Sequence, residues 1–343
     1  PSNADNRQAK ISTILASGDK NIDLISVNDE MISEFKHKGY LEPLEKNVMT
    51  EEVRDSFPQK YLESICEENG HIYSVPFQMD IMMFWVNQEL LKQAGLDEIK
   101  NTGDFDILQK SLKNPDQYAY GDAWENTHVY NSLSQFVNFW GGDYFDWTDP
   151  KTKDAARYMK SMLDEKNTSP AQFVDQYEQM EEKFIRGKYG CVFMYTSALG
   201  TFLDADVYGK NKIHMAPLPV LHKKKATNIA TWQYVLNNAS QNKDAAVRFL
   251  QYAAGYEGST EYAKIMKSYP ARVDVIENED IDLEGIDMIR KYLREYTLNA
   301  RPLCENSMGA VSDMGKLFQG YVLGQCEEDS FFEQAQNCIN TYY

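Results

Sequence analysis

Apolar and polar positions alternate along the chain between a helical period and the shorter period of strands. Ile11, Ile14 and Leu15 recur at helical spacing, and the segment 22–27 predicts a buried strand after the break at Gly18. The same succession of helix and strand then returns several times. Further strands are predicted at 70–77, 81–86, 189–195, 213–219 and 230–236, and helices at 31–37, 51–66, 88–94, 158–185 and 243–254.

The pattern changes toward the C-terminus. From residue 286 onward the periodicity is helical, with predicted helices at 286–296, 311–323 and 330–341. Strands alternating with helices predict an α/β fold, and 343 residues are enough for two lobes that each bury a core. We therefore expect two α/β lobes and a helical C-terminal tail.

Charge narrows the classes of partner. The chain has 52 acidic and 35 basic side chains and a formal net charge of -17, which disfavours nucleic acids and anionic membrane surfaces. No apolar run approaches the ~18 residues of a membrane-spanning helix, and no charged-then-apolar leader is present. We expect a water-soluble chain whose export signal has been removed or lies outside this sequence.

The five cysteines lack the spacing of a zinc or redox motif. Buried thiols are one interpretation. A bridge among Cys304, Cys326 and Cys338 is the alternative if the protein works in an oxidising compartment.

Catalytic and cofactor motifs are missing as well. The sequence contains no GxSxG, HExxH, phosphate-binding loop or GxGxxG in a strand–helix context, and its five histidines are scattered. We predict that the protein is not an enzyme and uses no cofactor or metal. A glycoside hydrolase with two carboxylates about 5–10 Å apart is the alternative from another functional class.

The order of several segments resembles a known family. Residues 70–96, GHIYSVPFQMDIMMFWVNQELLKQAGL, are similar to the G-x-Y…P…N-x-E-L-x-x-x-A-G-L segment of family 1 extracellular solute-binding proteins. Residues 184–194, 216–219, 237–246 and 301–302 match further family motifs in the same order. The chain thus resembles the group that includes the maltose- and trehalose-binding proteins of bacterial ABC importers.

Two features depart from that family. Its P-x-T-W-D-E-L motif is replaced by residues 101–108, and the strand–helix–strand with which members begin has no counterpart before residue 7. Ligand contacts from that opening region cannot therefore be assigned.

The resemblance implies a type II periplasmic-binding-protein fold with a multi-strand hinge. Lobe one would comprise 1–80 and 234–272, and lobe two 81–233 and 273–343, closing on a ligand in the cleft. It further implies an extracytoplasmic carbohydrate receptor that is recognised by the permease subunits of an ABC transporter or, alternatively, by a sensor. We expect a monomer, anchored to the cytoplasmic membrane as a lipoprotein.

Sugars expose hydroxyl groups at their edges and C–H groups on their faces, so carboxylates, amides and aromatic rings suit them. Asn28 and Asp29 follow a strand end that faces the crevice in such folds, although Asp29 could instead cap the next helix. Gln78 and Asp80 lie at the first crossing between lobes, with a hinge hydrogen bond as the alternative.

The remaining candidates come from aromatic and charged motifs. Trp124 and Tyr130 fall in a stretch similar to a W-Q-G-x-x-Y-E motif, and Trp124, in a polar loop, is expected to be exposed. Trp85 and Trp140 are expected to pack in the core. The other candidates are Asp5 and Arg7 of a D-x-R pattern, Tyr195 at a strand end, Trp232 on the second crossing strand, and Arg301, which has an ion pair within the lobe as its alternative.

The ligand class has one further alternative. The acidic candidates Asp29 and Asp80 would also suit a cation, so a polyamine or another solute that is not a sugar is the alternative ligand class.

Overall fold

The computed structural model describes residues 4–343, with side-chain surroundings from residue 8 onward. The helices are α1 (Ala4–Ala16), α2 (Asp29–His37), α3 (Glu51–Arg54), α4 (Gln59–Tyr61), α5 (Gln88–Gln93), α6 (Thr102–Ser111), α7 (Val129–Trp140), α8 (Pro150–Asp164), α9 (Tyr177–Ile185), α10 (Ala198–Asp204), α11 (Lys243–Ala254), α12 (Tyr256–Met266), α13 (Val273–Glu277), α14 (Ile286–Glu295), α15 (Ser307–Val322) and α16 (Glu328–Tyr342). A π-helix (Leu62–Cys66) follows α4, and a 3₁₀ helix (Pro170–Val174) precedes α9.

The strands alternate with these helices over most of the chain. They are β1 (Leu24–Asn28), β2 (Glu67–Glu68), β3 (His71–Ile72), β4 (Val75–Asn87), β5 (Tyr118–Gly121), β6 (Tyr189–Tyr195), β7 (Ile213–Ala216), β8 (Ala226–Leu236) and β9 (Thr297–Ala300). Within residues 4–343, no helix combines the length and apolar character that crossing a membrane requires.

The chain divides into two compact units. The first comprises Pro1–Asp80, Ile229–Arg290 and Leu303–Ser307, and the second comprises Ile81–Asn228, Lys291–Pro302 and Met308–Tyr343. Strands β4 and β8 each begin in one unit and end in the other. Residues 273–290, expected above in the second lobe, pack in the first unit.

In the first unit, β1 pairs antiparallel with β8, so that Asn28 lies opposite Trp232 and Leu24 opposite Leu236. Helix α2 follows β1 directly and buries its apolar face on the same core. This core is formed by Leu15, Val27, Met31, Ile32, Phe35, Leu41 and Val235. The unit therefore holds the end of β1 and the start of α2 in a fixed frame.

In the second unit, β4 pairs antiparallel with β6 and with β7, and β5 pairs parallel with β6. All seven residues of β6 are buried. Trp85 and Trp140 lie in the core, as predicted, with 0% and 6% of their surface exposed. The indole N–H of Trp85 donates to the carbonyl of Met194 at 2.8 Å.

The predicted bounds of β6 and α11 are confirmed to the residue. The continuous helix expected over 51–66 is wrong, because Pro58 interrupts it and the last turn becomes the π-helix. The expected helical stretch 158–185 is likewise broken, at the segment before Pro170. Helices α6, α7, α10, α12 and α13 were not predicted.

Candidate functional site

The largest group of candidate residues in the second unit surrounds Arg301. This side chain is buried, and its Nη1 donates to the hydroxyl of Tyr130 at 2.7 Å. Its guanidinium carbon lies 5.9 Å from the ring centre of Tyr130 and 6.0 Å from that of Tyr195. A cation this close to two ring faces is stabilised by both, so the structure brings these three predicted residues together.

Tyr195 ends β6, and its hydroxyl donates to Oδ1 of Asn131 at 3.0 Å. The edge of the Tyr177 ring lies against it, with ring centres 5.9 Å apart. Asn131 is almost fully buried in α7. We name Tyr130, Asn131, Tyr195 and Arg301 the tyrosine–arginine cluster.

An acidic group stands beside this cluster at the start of α7. Oε2 of Glu125 accepts hydrogen bonds from Nδ1 of His128 at 3.0 Å and from the hydroxyl of Thr127 at 2.6 Å. These bonds, that of His128 first, lower the pKa of Glu125 from 4.5 to about 2. The ring of His128 packs edge-on against Tyr177, with 5.0 Å between centres. Glu125 is therefore an ionised hydrogen-bond acceptor at neutral pH.

The expectation that Trp124 is exposed is wrong, because its ring is fully buried. The indole Nε1 donates to Oδ2 of Asp122 at 2.9 Å, and the ring packs edge-on against Phe173 and Phe318. Asp122, also buried, accepts from Tyr120 and Ser132. A polar loop here encloses a carboxylate that needs donors, and the indole N–H supplies one.

In the first unit, Asn28 and Asp29 occupy the turn from β1 into α2. Asn28 is the N-cap residue, with its Oδ1 accepting from the N–H of Met31 at 3.3 Å. The capping role considered for Asp29 therefore falls to Asn28. Asp29 begins the helix, is fully buried, and accepts from the hydroxyl of Tyr61 at 3.2 Å.

Tyr61 connects Asp29 to strand β8. Its hydroxyl lies 2.7 Å from Oγ1 of Thr231 and accepts from Nε2 of Gln233 at 3.1 Å. Oε1 of Gln233 accepts in turn from Ser74 and from the thiol of Cys66. We name Tyr61, Cys66, Ser74, Thr231 and Gln233 the first-unit network.

Three further candidates, Trp232, Gln78 and Asp80, belong to the first unit. Trp232 is half-buried on β8, opposite Asn28. Gln78 is half-buried, and its Oε1 accepts from the hydroxyl of Tyr262 at 2.7 Å. Asp80 is buried and is the last residue of the first unit before β4 continues into the second unit. The side chains of Asp5 and Arg7 lie outside the part of the chain that the structure describes.

Tyr61, Asn131, Thr231 and Gln233 were not among the predicted residues. Thr231 and Gln233 flank Trp232 in the sequence, so they point to the opposite face of β8 from it. Polar residues at alternate positions of a predicted strand normally face solvent, and these two are buried. The alternation of Thr231 and Gln233 along the predicted strand was the one feature of the sequence that could have identified them.

The described residues provide hydrogen-bond donors, acceptors and aromatic rings in both units. Among side chains from residue 8 onward, no group of three or more His, Cys, Asp or Glu residues is arranged to hold a metal ion. None of the five cysteines forms a disulfide, and Cys66, Cys191 and Cys338 are buried. The chemistry of these groups suits hydrogen bonding and ring stacking with an uncharged polar solute.

Comparison with known sequences gives distant relatives. The chain is 22% identical over 286 residues to the arabinooligosaccharide-binding protein of Bacillus subtilis strain 168, covering 79% of this chain and 65% of that protein. It is 24% identical over 239 residues to a probable amino-acid ABC transporter periplasmic-binding protein of Sinorhizobium fredii, covering 66% and 54%. The chain therefore spans between about half and two thirds of the length of these relatives.

Comparison with solved structures confirms the predicted fold class. An ABC transporter solute binding protein from Thermotoga lettingae TMO, solved with bound alpha-D-tagatose, matches with a TM-score of 0.84 at 18% identity. The match covers 98% of this chain and 89% of that one. A family model described as bacterial extracellular solute-binding protein matches residues 2–260. Because that match extends over most of its 343 residues, the chain belongs to the family of bacterial extracellular solute-binding proteins.

Proposed function

We propose that this protein is the substrate-binding component of a bacterial ABC importer and that its solute is a carbohydrate, specifically an oligosaccharide. The observation that carries the proposal is the tyrosine–arginine cluster. It combines a guanidinium, an amide and two phenol groups within hydrogen-bonding and ring-contact distance of one another.

The chemistry of the cluster supports a hydroxylated ligand. A guanidinium and an amide each offer paired polar atoms in one plane, which match neighbouring hydroxyl groups of a sugar ring. The ring of Tyr195 supplies an apolar face for its C–H groups, whereas Tyr130 is fully buried and contributes by holding Arg301. Because each side chain is already held by a partner within the unit, little conformational entropy is lost on binding.

We propose additional solute contacts by predicted residues in the first unit. Asn28, Asp29, Gln78, Asp80 and Trp232 supply carboxylates, amides and an indole, the same types of group. Trp124 is left out of the proposed set, because its ring is enclosed by Phe173 and Phe318 and its N–H is used by Asp122.

The names of relatives support the carbohydrate. One relative is named for binding arabinooligosaccharides, and one structural neighbour was solved with tagatose bound. The Sinorhizobium fredii relative is named for amino acids, so amino acids are the main competing solute class.

The manner of action is part of the same proposal. We propose that the two predicted lobes, with residues 273–290 now assigned to the first lobe, close on the solute and that permease subunits recognise the closed form. We also propose that the protein is a monomer, is anchored as a lipoprotein, and binds its solute without changing it chemically.

The test is a thermal-shift screen of the mature protein against mono- and oligosaccharides, polyols, amino acids and polyamines. A ligand at 100 times its Kd raises the free energy of unfolding by about 2.7 kcal/mol, so true solutes shift Tm clearly. We expect the largest shift from an oligosaccharide, which is recovered unchanged afterwards. Shifts from amino acids or polyamines alone would contradict the carbohydrate, and cleavage of the glycan would contradict a purely binding role.

A further inference from the structure

Helix α7 carries a stripe of polar side chains that is buried. Ser134 and Gln135 lie three and four residues after Asn131, and Asn138 lies four and three residues after them, so the four side chains share one face of the helix. The first three are at most 3% exposed, and the rest of the helix is mostly apolar. Burying amides is costly unless each polar atom is paired, so the partners of this stripe have to be accounted for.

Gln135 pairs with the backbone of β8. Its Nε2 donates to the carbonyl of Ala226 at 2.8 Å, and its Oε1 accepts from the N–H of Asn228 at 2.9 Å. The hydroxyl of Thr227 is 3.2 Å from the same oxygen, but its closer acceptor is the carbonyl of Met82. The amide of Gln135 thus binds the carbonyl before Thr227 and the N–H after it, as a neighbouring strand would.

Asn228 is held by the rest of the stripe. Its Nδ2 donates to Oγ of Ser134 at 2.7 Å and to the carbonyl of Asn131 at 3.1 Å. Its Oδ1 accepts from Nδ2 of Asn138 at 2.9 Å. All three hydrogen bonds of this fully buried side chain are therefore made with α7.

The stripe also reaches the tyrosine–arginine cluster. Oδ1 of Asn131 accepts the hydroxyl hydrogen of Tyr195, while the carbonyl of Asn131 accepts from Asn228. Residues 226–228 are the first three residues of β8 and belong to the second unit, and the chain enters the first unit at Ile229. A continuous set of buried hydrogen bonds thus runs from Tyr195 through α7 to the strand that leaves the unit.

We propose that Gln135 is a positioning residue which, with Asn131 and Asn138, holds residues 226–228 of β8 in register with the hydroxyl of Tyr195. A change at Tyr195 is passed to Asn228 through the two hydrogen bonds that Asn131 accepts. The role of these hydrogen bonds in solute binding rests on the proposed function, whereas the connection between Tyr195 and residues 226–228 does not.

The connection is tested by amide hydrogen exchange on the solute-free protein, with the N–H of Asn228 as reporter and the N–H of Phe193 in β6 as internal reference. Gln135→Met removes the acceptor of the reporter, and we expect its exchange relative to the reference to accelerate at least tenfold. Tyr195→Phe removes only a hydroxyl, and we expect a severalfold acceleration at Asn228. The double variant should exchange no faster than Gln135→Met alone.

The matched control is Tyr120→Phe, which deletes a buried tyrosine hydroxyl elsewhere in the same unit, bonded to Asp122. It should leave the ratio of the two exchange rates unchanged. If Gln135→Met fails to fold, Asn138→Ala removes a single bond at the half-buried end of the stripe and should raise the ratio by a smaller factor.

The inference is overturned if Tyr195→Phe changes the exchange ratio no more than Tyr120→Phe does. It is equally overturned if the effects of Tyr195→Phe and Gln135→Met are additive, because independent sites do not share a path. Since no solute is present, this result is separate from the thermal-shift screen, in which silence from every carbohydrate would remove the proposed function alone.

Discussion

Strand β8 is held by buried polar groups on both sides of the step from Asn228 to Ile229, and the two sets differ in construction. In the second unit, a single helix, α7, supplies neutral amides and a hydroxyl that bind the backbone and side chain of residues 226–228. In the first unit, the first-unit network gathers its members from several segments around Gln233. The polar groups that hold β8 thus come from one helix in the second unit and from several segments in the first.

The first-unit network lies close to titratable groups, which the stripe of α7 does not contain. Cys66 belongs to it, and burial raises the pKa of this thiol to about 12. The ammonium of Lys36 donates to the carbonyls of Ile65 and Glu67, on either side of that cysteine. Burial lowers the pKa of Lys36. The part of β8 in the first unit is therefore held beside titratable groups, whereas the part in the second unit is held by neutral amides and a hydroxyl.

The partners also differ in their freedom to rearrange. Gln233 binds hydroxyl groups and a thiol, whose hydrogens can rotate toward one another if the amide is removed. Gln135 binds a backbone N–H and a carbonyl, which are fixed by the strand. Losing the amide should therefore cost more free energy at position 135.

The largest expected effect follows from that contrast. Gln135→Met should lower the free energy of unfolding by about 3 kcal/mol, since two buried backbone groups lose their partners, and Gln233→Met by about 1.5 kcal/mol. Urea unfolding monitored by tryptophan fluorescence measures both. Equal losses, or a larger one for Gln233→Met, would show that the backbone at 226–228 finds other partners.

A smaller effect concerns acid. The pKa of Glu125 is about 2 when folded and 4.5 ordinarily, so this carboxylate adds stability that is complete above pH 4.5. That contribution falls away as the pH drops from 4.5 toward 2. The difference in unfolding free energy between the wild type and Glu125→Gln should shrink over that interval. A difference that stays constant down to pH 2 would mean that His128 does not stabilise the ionised form.

The alkaline counterpart concerns Lys36, which binds the backbone on either side of Cys66 in the first-unit network. Because the pKa of Lys36 is lowered in the folded state, the unfolded chain binds more protons between that lowered value and 10.5. Stability due to this residue should therefore rise with pH across that interval. Subtracting the pH profile of Lys36→Met from that of the wild type isolates the rise. A flat difference would indicate that the ammonium is as well solvated as in water.

The smallest effect is one of reactivity. Thiolate is the reactive form of cysteine, and Cys66 is buried with a pKa of about 12, whereas Cys326 is partly exposed. With a disulfide reagent at pH 8, Cys326 should be labelled in the native protein and Cys66 only after unfolding. Peptide mapping distinguishes the two. Prompt labelling of Cys66 would show that the first-unit network opens readily.

Elements with a strong periodic pattern could be predicted from the sequence. The apolar run of β6 and the amphipathic face of α11 gave correct bounds, because each pattern is what burial on both faces or on one face requires. Strand β4 was predicted in two pieces, since Gln78 and Asp80 interrupt its apolar run although the backbone continues through them. Polar side chains at the step between units are compatible with a strand.

Helix α7 with its polar stripe and the first-unit network could not be predicted. The polar stripe of α7 would ordinarily mark a solvent face, yet it is buried against β8, a partner distant in sequence. Tyr61 was missed because it ends the three-residue helix α4, which runs directly into a π-helix, so no regular period exists there. Of the candidate residues, Tyr130, Tyr195 and Arg301 were named from separate motifs, and the tertiary structure places them side by side.

The most direct test of the carbohydrate assignment is a calorimetric titration of the saccharide giving the largest thermal shift into wild type, Arg301→Met and the surface control Arg157→Met. Losing charge-assisted hydrogen bonds of about 1.5–3 kcal/mol should weaken binding by roughly 10- to 100-fold in Arg301→Met, with the control unchanged. Far-UV circular dichroism confirms that each variant is folded. An unaltered Kd in folded Arg301→Met, or no binding heat from any saccharide to the wild type, would contradict carbohydrate recognition by the tyrosine–arginine cluster.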